Sequence, residues 1–170
     1  LVAEARVYAS VNRVEHARDK IEQAIQLSEQ NGFRHLYAEC LIKRTNWNPQ
    51  HPTAHADLQR VIALMKQDGN LLQLGMAWFN MGQFFRRRRA KGDFTAARQS
   101  MYTAQKIAKS INDRSLDAST SMSIANLEVM FGNSKEAEKN FQRSYELNRR
   151  LGRMEQTCLL LGNMASWCIH

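Results

Sequence analysis

Apolar residues recur at steps of three and four along nearly the whole chain. Leu58, Val61, Ile62 and Met65 follow this rule, as do Ile107 with Ile111 and Ile124 with Leu127. Such steps stack side chains on one helix face, and no stretch keeps the two-residue alternation of a half-buried strand. Asn or Gly stands near the ends of the periodic segments, where helices commonly stop on a left-handed residue. The pattern predicts an all-α chain.

The helices repeat. Four segments carry a small residue, a bulky apolar residue four positions later and a third residue three beyond that: Ala17-Ile21-Ala24, Ala54-Leu58-Val61, Ala97-Met101-Ala104 and Ala137-Phe141-Ser144. Ten positions after each leading alanine stands Leu27, Leu64, Ile107 or Leu147. Fifteen positions after it stands Gly32, Gly69, Asn112 or Gly152, the residue types that most readily adopt positive φ. A constant offset in four copies, with leading alanines 37, 43 and 40 residues apart, marks a structural repeat.

A second small site lies thirteen residues past each stop: Thr45, Gly82, Ala125 and Ala165, with Ala5, twelve residues before Ala17, as the first of the series. Its distance to the next leading alanine is 9 in one repeat, 15 in another and 12 between Ala125 and Ala137, so the length variation sits inside each repeat. Each unit therefore reads as a hairpin of helices A and B whose apolar face is covered when the next unit stacks on it. The B-to-A connection fixes the stacking, whereas the A-to-B turn absorbs length at modest entropic cost. The short turn is Asn48-Pro49-Gln50-His51-Pro52, with Pro52 expected at the first helical position. The long one is Arg86-Arg87-Arg88-Arg89-Ala90-Lys91-Gly92, with Asp93 expected as N-cap. The expected domain covers 1–170 as repeats near 1–31, 32–68, 69–111 and 112–151 and a partial one over 152–170, about nine helices in all. The last helix would expose an apolar face with Leu159, Leu160, Leu161, Trp167 and Ile169. A first residue already inside a helical pattern, and an unpaired last helix, make the chain read as a fragment of a larger protein; two copies meeting through the 153–169 helix would also cover that face.

Trp78-Phe79-Asn80-Met81-Gly82-Gln83-Phe84-Phe85, followed by Gly92-Asp93-Phe94-Thr95-Ala96-Ala97, Met101 and Ala104, resembles a tetratricopeptide repeat. Met replaces the usual Leu, Phe the usual Tyr, and the turn is lengthened. Phe131-Gly132-Asn133-Ser134-Lys135-Glu136-Ala137 with Phe141 matches the second half of the same motif. The second repeat departs most, with Arg44 and Thr45 in the leucine and glycine places. The period near 40 is similar to the extended variant in bacterial regulators and peptide-reading scaffolds. The resemblance implies a right-handed α-solenoid of antiparallel hairpins whose A helices line a concave groove.

Composition and charge narrow the chemistry. With Pro 2, Gly 8 and 44% hydrophobic residues, collagen, Pro/Gly-rich disorder and turn-dense β-sandwiches are excluded and a core is affordable. No apolar run approaches roughly 18 residues, so no membrane span is expected. Three cysteines, Cys40, Cys158 and Cys168, without C-x-x-C spacing fit a reducing, cytoplasmic setting. Cys40 and Cys158 sit at apolar or small helix slots and are expected as buried packing. No nucleophile elbow, P-loop or zinc-protease motif is present, so an enzyme and a cofactor are not expected. His51 and His55 are spaced to share a metal, yet no third ligand completes the set, and solvated turn histidines are the expectation.

Binding signals remain. The net charge is +8, and Arg86, Arg87, Arg88 and Arg89 form its densest run, a candidate contact for an acidic partner. Nucleic acid is disfavoured because the other basic residues (Arg6, Lys43, Lys135, Arg149, Arg150, Arg153) are scattered and the aromatics occupy core slots. On the A helices, the residues two before each small site are Ala3, Lys43, Asn80, Ser123 and Asn163, and those one after are Arg6, Asn46, Gln83, Asn126 and Ser166. If the A helices line a groove, these rows face it. Carboxamides suit a peptide backbone because each donates and accepts. Met76, Phe79 and Met122 would add apolar selectivity. The reading is a non-enzymatic protein- or peptide-binding scaffold, the regulatory or sensor region of an intracellular signalling or transcription-regulating protein. A self-association module relaying signals to an output domain, or nucleic-acid contact through the arginine turn, are the alternatives.

Overall fold

The computed structural model describes residues 14–168, with the side chains of all but Val14, Leu160 and residues 163–168. Among the described residues there are eight α-helices and no strand: α1 (Val14–Gln30), α2 (Arg34–Trp47), α3 (Ala54–Gln67), α4 (Leu71–Arg88), α5 (Asp93–Ser110), α6 (Arg114–Met130), α7 (Ser134–Arg150) and α8 (Met154–Cys168). The helix expected before α1 lies outside the described residues.

The chain divides into two compact units, Leu1–Gly69 and Asn70–His170. In the first, α1 packs on α2 and α2 on α3. In the second, α4 packs on α5, α5 on α6, α6 on α7 and α7 on α8, in sequence order throughout.

The repeat positions are the core positions. Ala17, Ala54, Ala97 and Ala137 are all buried, as are Ile21, Leu58, Met101 and Phe141 four residues on. In the second unit, Ala97, Met101, Ile124 and Leu127 form one cluster flanked by Phe79, Phe85, Phe94 and Tyr102. Ala125, Ala137 and Phe141 form another, flanked by Met122, Val129 and Tyr145. Small residues at the A–B crossing let the helices approach: a Cβ on Gly82 would lie 2.8 Å from the Met101 Cε and 2.9 Å from its Cγ.

The four stops behave as their residue types require. Gly32, Gly69, Asn112 and Gly152 have φ of 69°, 66°, 58° and 68°. At Asn112 the chain reverses with two backbone bonds, Asn112 N–H to the Lys109 carbonyl (3.3 Å) and Asp113 N–H to the Ala108 carbonyl (2.9 Å). Gly152 and Arg153 repeat this pair on Arg149 and Asn148. Such paired bonds satisfy carbonyls that the helix end would leave open.

Two turn expectations are corrected. Pro52 does not open α3; Thr53 precedes the helix and Ala54 begins it. Asp93 is the first residue of α5 rather than its N-cap, which is Gly92 at φ 83°. Its carboxylate turns back into the turn, accepting from the Ala90 amide at 2.8 Å and from Arg88 at 2.6 and 2.9 Å, because a guanidinium there outcompetes a helix amide.

Candidate functional site

Within the second unit, successive A helices touch: α4 meets α6, and α6 meets α8. Met76, Asn80 and Gln83 lie at three- and four-residue steps and share one face of α4, as Ser123 and Asn126 do on α6. Gln83 donates through Nε2 to the Ser123 hydroxyl at 3.1 Å, joining positions 40 residues apart. The residue after one small site thus meets the residue two before the next, and the two polar rows lie side by side on the A-helix face.

The amides on this face differ in what they leave available. Asn80 is buried, and its Nδ2 donates at 2.7 Å to the Met76 carbonyl of its own helix, so that donor is already used. The Gln83 Oε1 accepts from Arg86 Nε at 3.0 Å. Asn126 is half-buried and has no hydrogen bond among the described residues, which leaves its donor and acceptor together for a ligand. Met76 is 44% exposed, whereas Phe79 and Met122 are half-buried against the two core clusters. In the first unit Lys43 pairs with Glu39 at 3.2 Å, and Asn46 is exposed. Arg6 and the side chain of Asn163 lie outside the described residues.

The arginine run is not four equivalent charges. Arg88 is bound by buried Asp93 and stacks over Phe84 and Phe85 at 5.2 and 5.3 Å from the ring centres. Its charge is thus paired within the chain, unlike the rest of the run expected to meet an acidic partner. Arg89 takes φ 56° at the end of α4. Partial desolvation against the chain, and then repulsion from Arg87 and Arg89, holds the Arg86 pKa below its ordinary value. Arg86, Arg87 and Arg89 are exposed and form a crowded cationic turn.

The pattern of sequence positions did not reveal the buried ion pairs. Glu128 is fully buried and accepts from Arg98 Nε at 2.6 Å, Arg98 Nη2 at 3.1 Å, Tyr102 at 3.0 Å and Asn133 at 2.7 Å. Burial alone would raise its pKa, but the bonds from Arg98, Asn133 and Tyr102 outweigh burial and hold it below the ordinary glutamate value. Its place four residues after Ile124, on the apolar face, was the available signal. Asp117 is likewise buried and held by Arg143, and in the first unit Asp57 is held by Arg44 at 2.8 Å.

No group of three His, Cys, Asp or Glu side chains suited to a metal occurs among the described residues, and His51 contacts the Thr53 hydroxyl at 2.8 Å. Cys40 is fully buried, and that burial pushes its thiol up to about 11. Cys158 is exposed, contrary to expectation. Gly75, which precedes Gly82 by seven residues as Cys158 precedes Ala165, is covered by Ile107 of its own B helix and Leu116 of the next A helix, and α8 is followed by neither among the described residues. No helix of the described residues is long and apolar enough to cross a membrane.

No protein-family model matches the chain, and no curated protein matches it.

Proposed function

We propose that the chain is a protein-binding scaffold of tetratricopeptide-like hairpins that holds a peptide or protein segment along its A helices. In this reading it serves as the regulatory or sensor region of an intracellular signalling or transcription-regulating protein. The observation that supports it most is the Gln83–Ser123 bond between successive A helices, which sets Met76, Gln83 and Asn126 on adjoining faces. Asn126 adds an uncommitted carboxamide to that surface, a group able to bind one peptide unit through both its N–H and its C=O. The buried acids Glu128, Asp117 and Asp93 are each matched to an arginine, so their oxygens are engaged in holding the chain together.

The test begins with a peptide selected from a displayed random library against the whole chain. Its affinity is then measured by calorimetry for wild type and for Gln83→Ala with Asn126→Ala. Loss of the two peptide hydrogen bonds of the Asn126 carboxamide, together with the Gln83–Ser123 link beside it, is expected to weaken binding by about tenfold or more. Equal affinities for the two proteins would remove the groove reading.

A further inference from the structure

The positive charge of the chain is unevenly placed. Residues 70–170 hold fifteen Lys and Arg against eight Asp and Glu, so this unit carries +7 of the net +8. Three of its eight acids, Asp93, Asp117 and Glu128, are buried against Arg88, Arg143 and Arg98. The surface therefore carries most of the unbalanced cations.

Several of them gather where the sequence alone left them scattered. Lys109 and Arg149 stand three residues before equivalent stops, Asn112 and Gly152. The two stops belong to successive repeats, and Arg153 Nη2 donates to the Ser115 hydroxyl at 2.7 Å, tying the α7–α8 turn to the α5–α6 turn. Arg114, beside Ser115, and Arg149 and Arg150 are exposed, and their side chains make no ion pair or hydrogen bond among the described residues. Lys109 is bonded to Gln105 at 2.9 Å, and its pKa is lowered first by burial and then by the charge of Arg143, which reflects the local crowding of cations. The acids close by in sequence neutralise this edge only in part. Asp113 accepts from the Leu116 amide at 2.8 Å, Glu146 accepts from Gln142 at 3.0 Å, and Glu155 lies in the first turn of α8.

The same edge is partly apolar, with Leu151 37% and Met154 69% exposed between and beside the arginines. We propose that the joined α5–α6 and α7–α8 turns are a docking surface for an acidic protein segment that also carries apolar side chains. The charge supplies the choice of occupant. A second copy of the chain in a two-fold contact would set this patch against itself, and like charges across an interface are costly. A nucleic-acid backbone would match the arginines, but it would leave Leu151 and Met154 without partners, and the two turns (109–115 and 149–155) contain no aromatic ring on which a base could stack. An acidic segment with apolar residues neutralises the cations and covers both side chains. This surface is separate from the A-helix face and does not depend on the groove reading.

The probe is a fluorescent synthetic amphipathic helix with Glu on one face and Leu on the other. It is compared by anisotropy with polyglutamate and with a short DNA duplex, at low and at physiological salt. The amphipathic peptide is expected to bind more tightly than either comparator. Arg149→Glu with Arg150→Glu should weaken it by about tenfold or more, and Leu151→Ser with Met154→Ser by a smaller factor. Gln83→Ala with Asn126→Ala should bind the probe as wild type does, which separates this surface from the groove. Circular dichroism checks folding, and Arg114→Gln with Arg149→Gln and Arg150→Gln repeats the test without charge reversal. An affinity unchanged by both sets of arginine variants would overturn the proposal. So would tighter binding of the duplex with a steep salt dependence, or a wild-type dimer that the Arg149→Glu, Arg150→Glu variant dissolves.

Discussion

Glu128 joins two helices through one side chain, because Arg98 and Tyr102 come from α5 and Asn133 from the turn before α7. A carboxylate without water is costly unless its lone pairs are met, and here four donor atoms meet them. Replacing it with Gln keeps the shape, removes the charge that holds Arg98, and turns an amide N–H₂ toward existing donors. Glu128→Gln is expected to cost about 3 kcal/mol, the low end for breaking a buried pair because Arg98 remains part exposed. The pH dependence has a definite sign. A pKa lowered on folding contributes stability that is complete above the unfolded value of about 4.3 and is lost as pH falls through the lower folded value. Thermal melts from neutral pH down to about 3 should therefore show the wild-type Tm converging on that of Glu128→Gln as acid is added. Curves that stay parallel would mean that Glu128 carries no such linkage.

Gly82 shows how one missing side chain sets the closeness of two helices. Gly in a helix interior ordinarily costs about 1 kcal/mol relative to Ala, so Gly→Ala is often stabilising. Here the added Cβ would fall within 3.0 Å of the Cε, Cγ and Sδ of Met101, which is fully buried. Overpacking of this kind costs about 1–3 kcal/mol, so Gly82→Ala is expected to lose about 1 kcal/mol net in urea unfolding. Pairing it with Met101→Ala should lose less than the sum of the single changes, since the colliding atoms are gone. The sequence reveals this level well. Stops at Gly32, Gly69, Asn112 and Gly152 and small sites at Gly82 and Ala125 are legible because each residue type answers a backbone or steric demand that depends on local position alone. Partner choice is less legible. That Asn80 spends its donor on Met76, that Arg88 turns to Asp93, or that Arg98 reaches Glu128 across 30 residues depends on how side chains compete once the helices stack. Polarity at a helix position does not distinguish a group facing solvent from one already satisfied. Cys158 failed for the complementary reason, since its slot is buried only where further helices cover it.

At the scale of the whole molecule, helices within each compact unit pack on their neighbours in sequence, and stability in such arrays is close to a sum of local terms. The unit from Asn70 to His170 holds both two-helix core clusters described above and all of the Glu128 and Asp117 ion pairs. Expressed alone, residues 70–170 are expected to remain helical and to melt cooperatively, because none of those contacts involves residues before 70. The charge then determines the response to salt. An excess of +7 on one small unit opposes its compact state through self-repulsion, and salt screens exposed charges over about 10 Å at 0.1 M. The buried pairs at Glu128 and Asp117 are screened far less, so added salt relieves repulsion more than it weakens attraction. The Tm of the fragment should rise as sodium chloride is added at neutral pH. A Tm that falls with salt would mean that exposed ion pairs, and not the unbalanced cations of the turns, dominate its electrostatics, and a fragment without a cooperative melt would mean that its repeats require the helices before them.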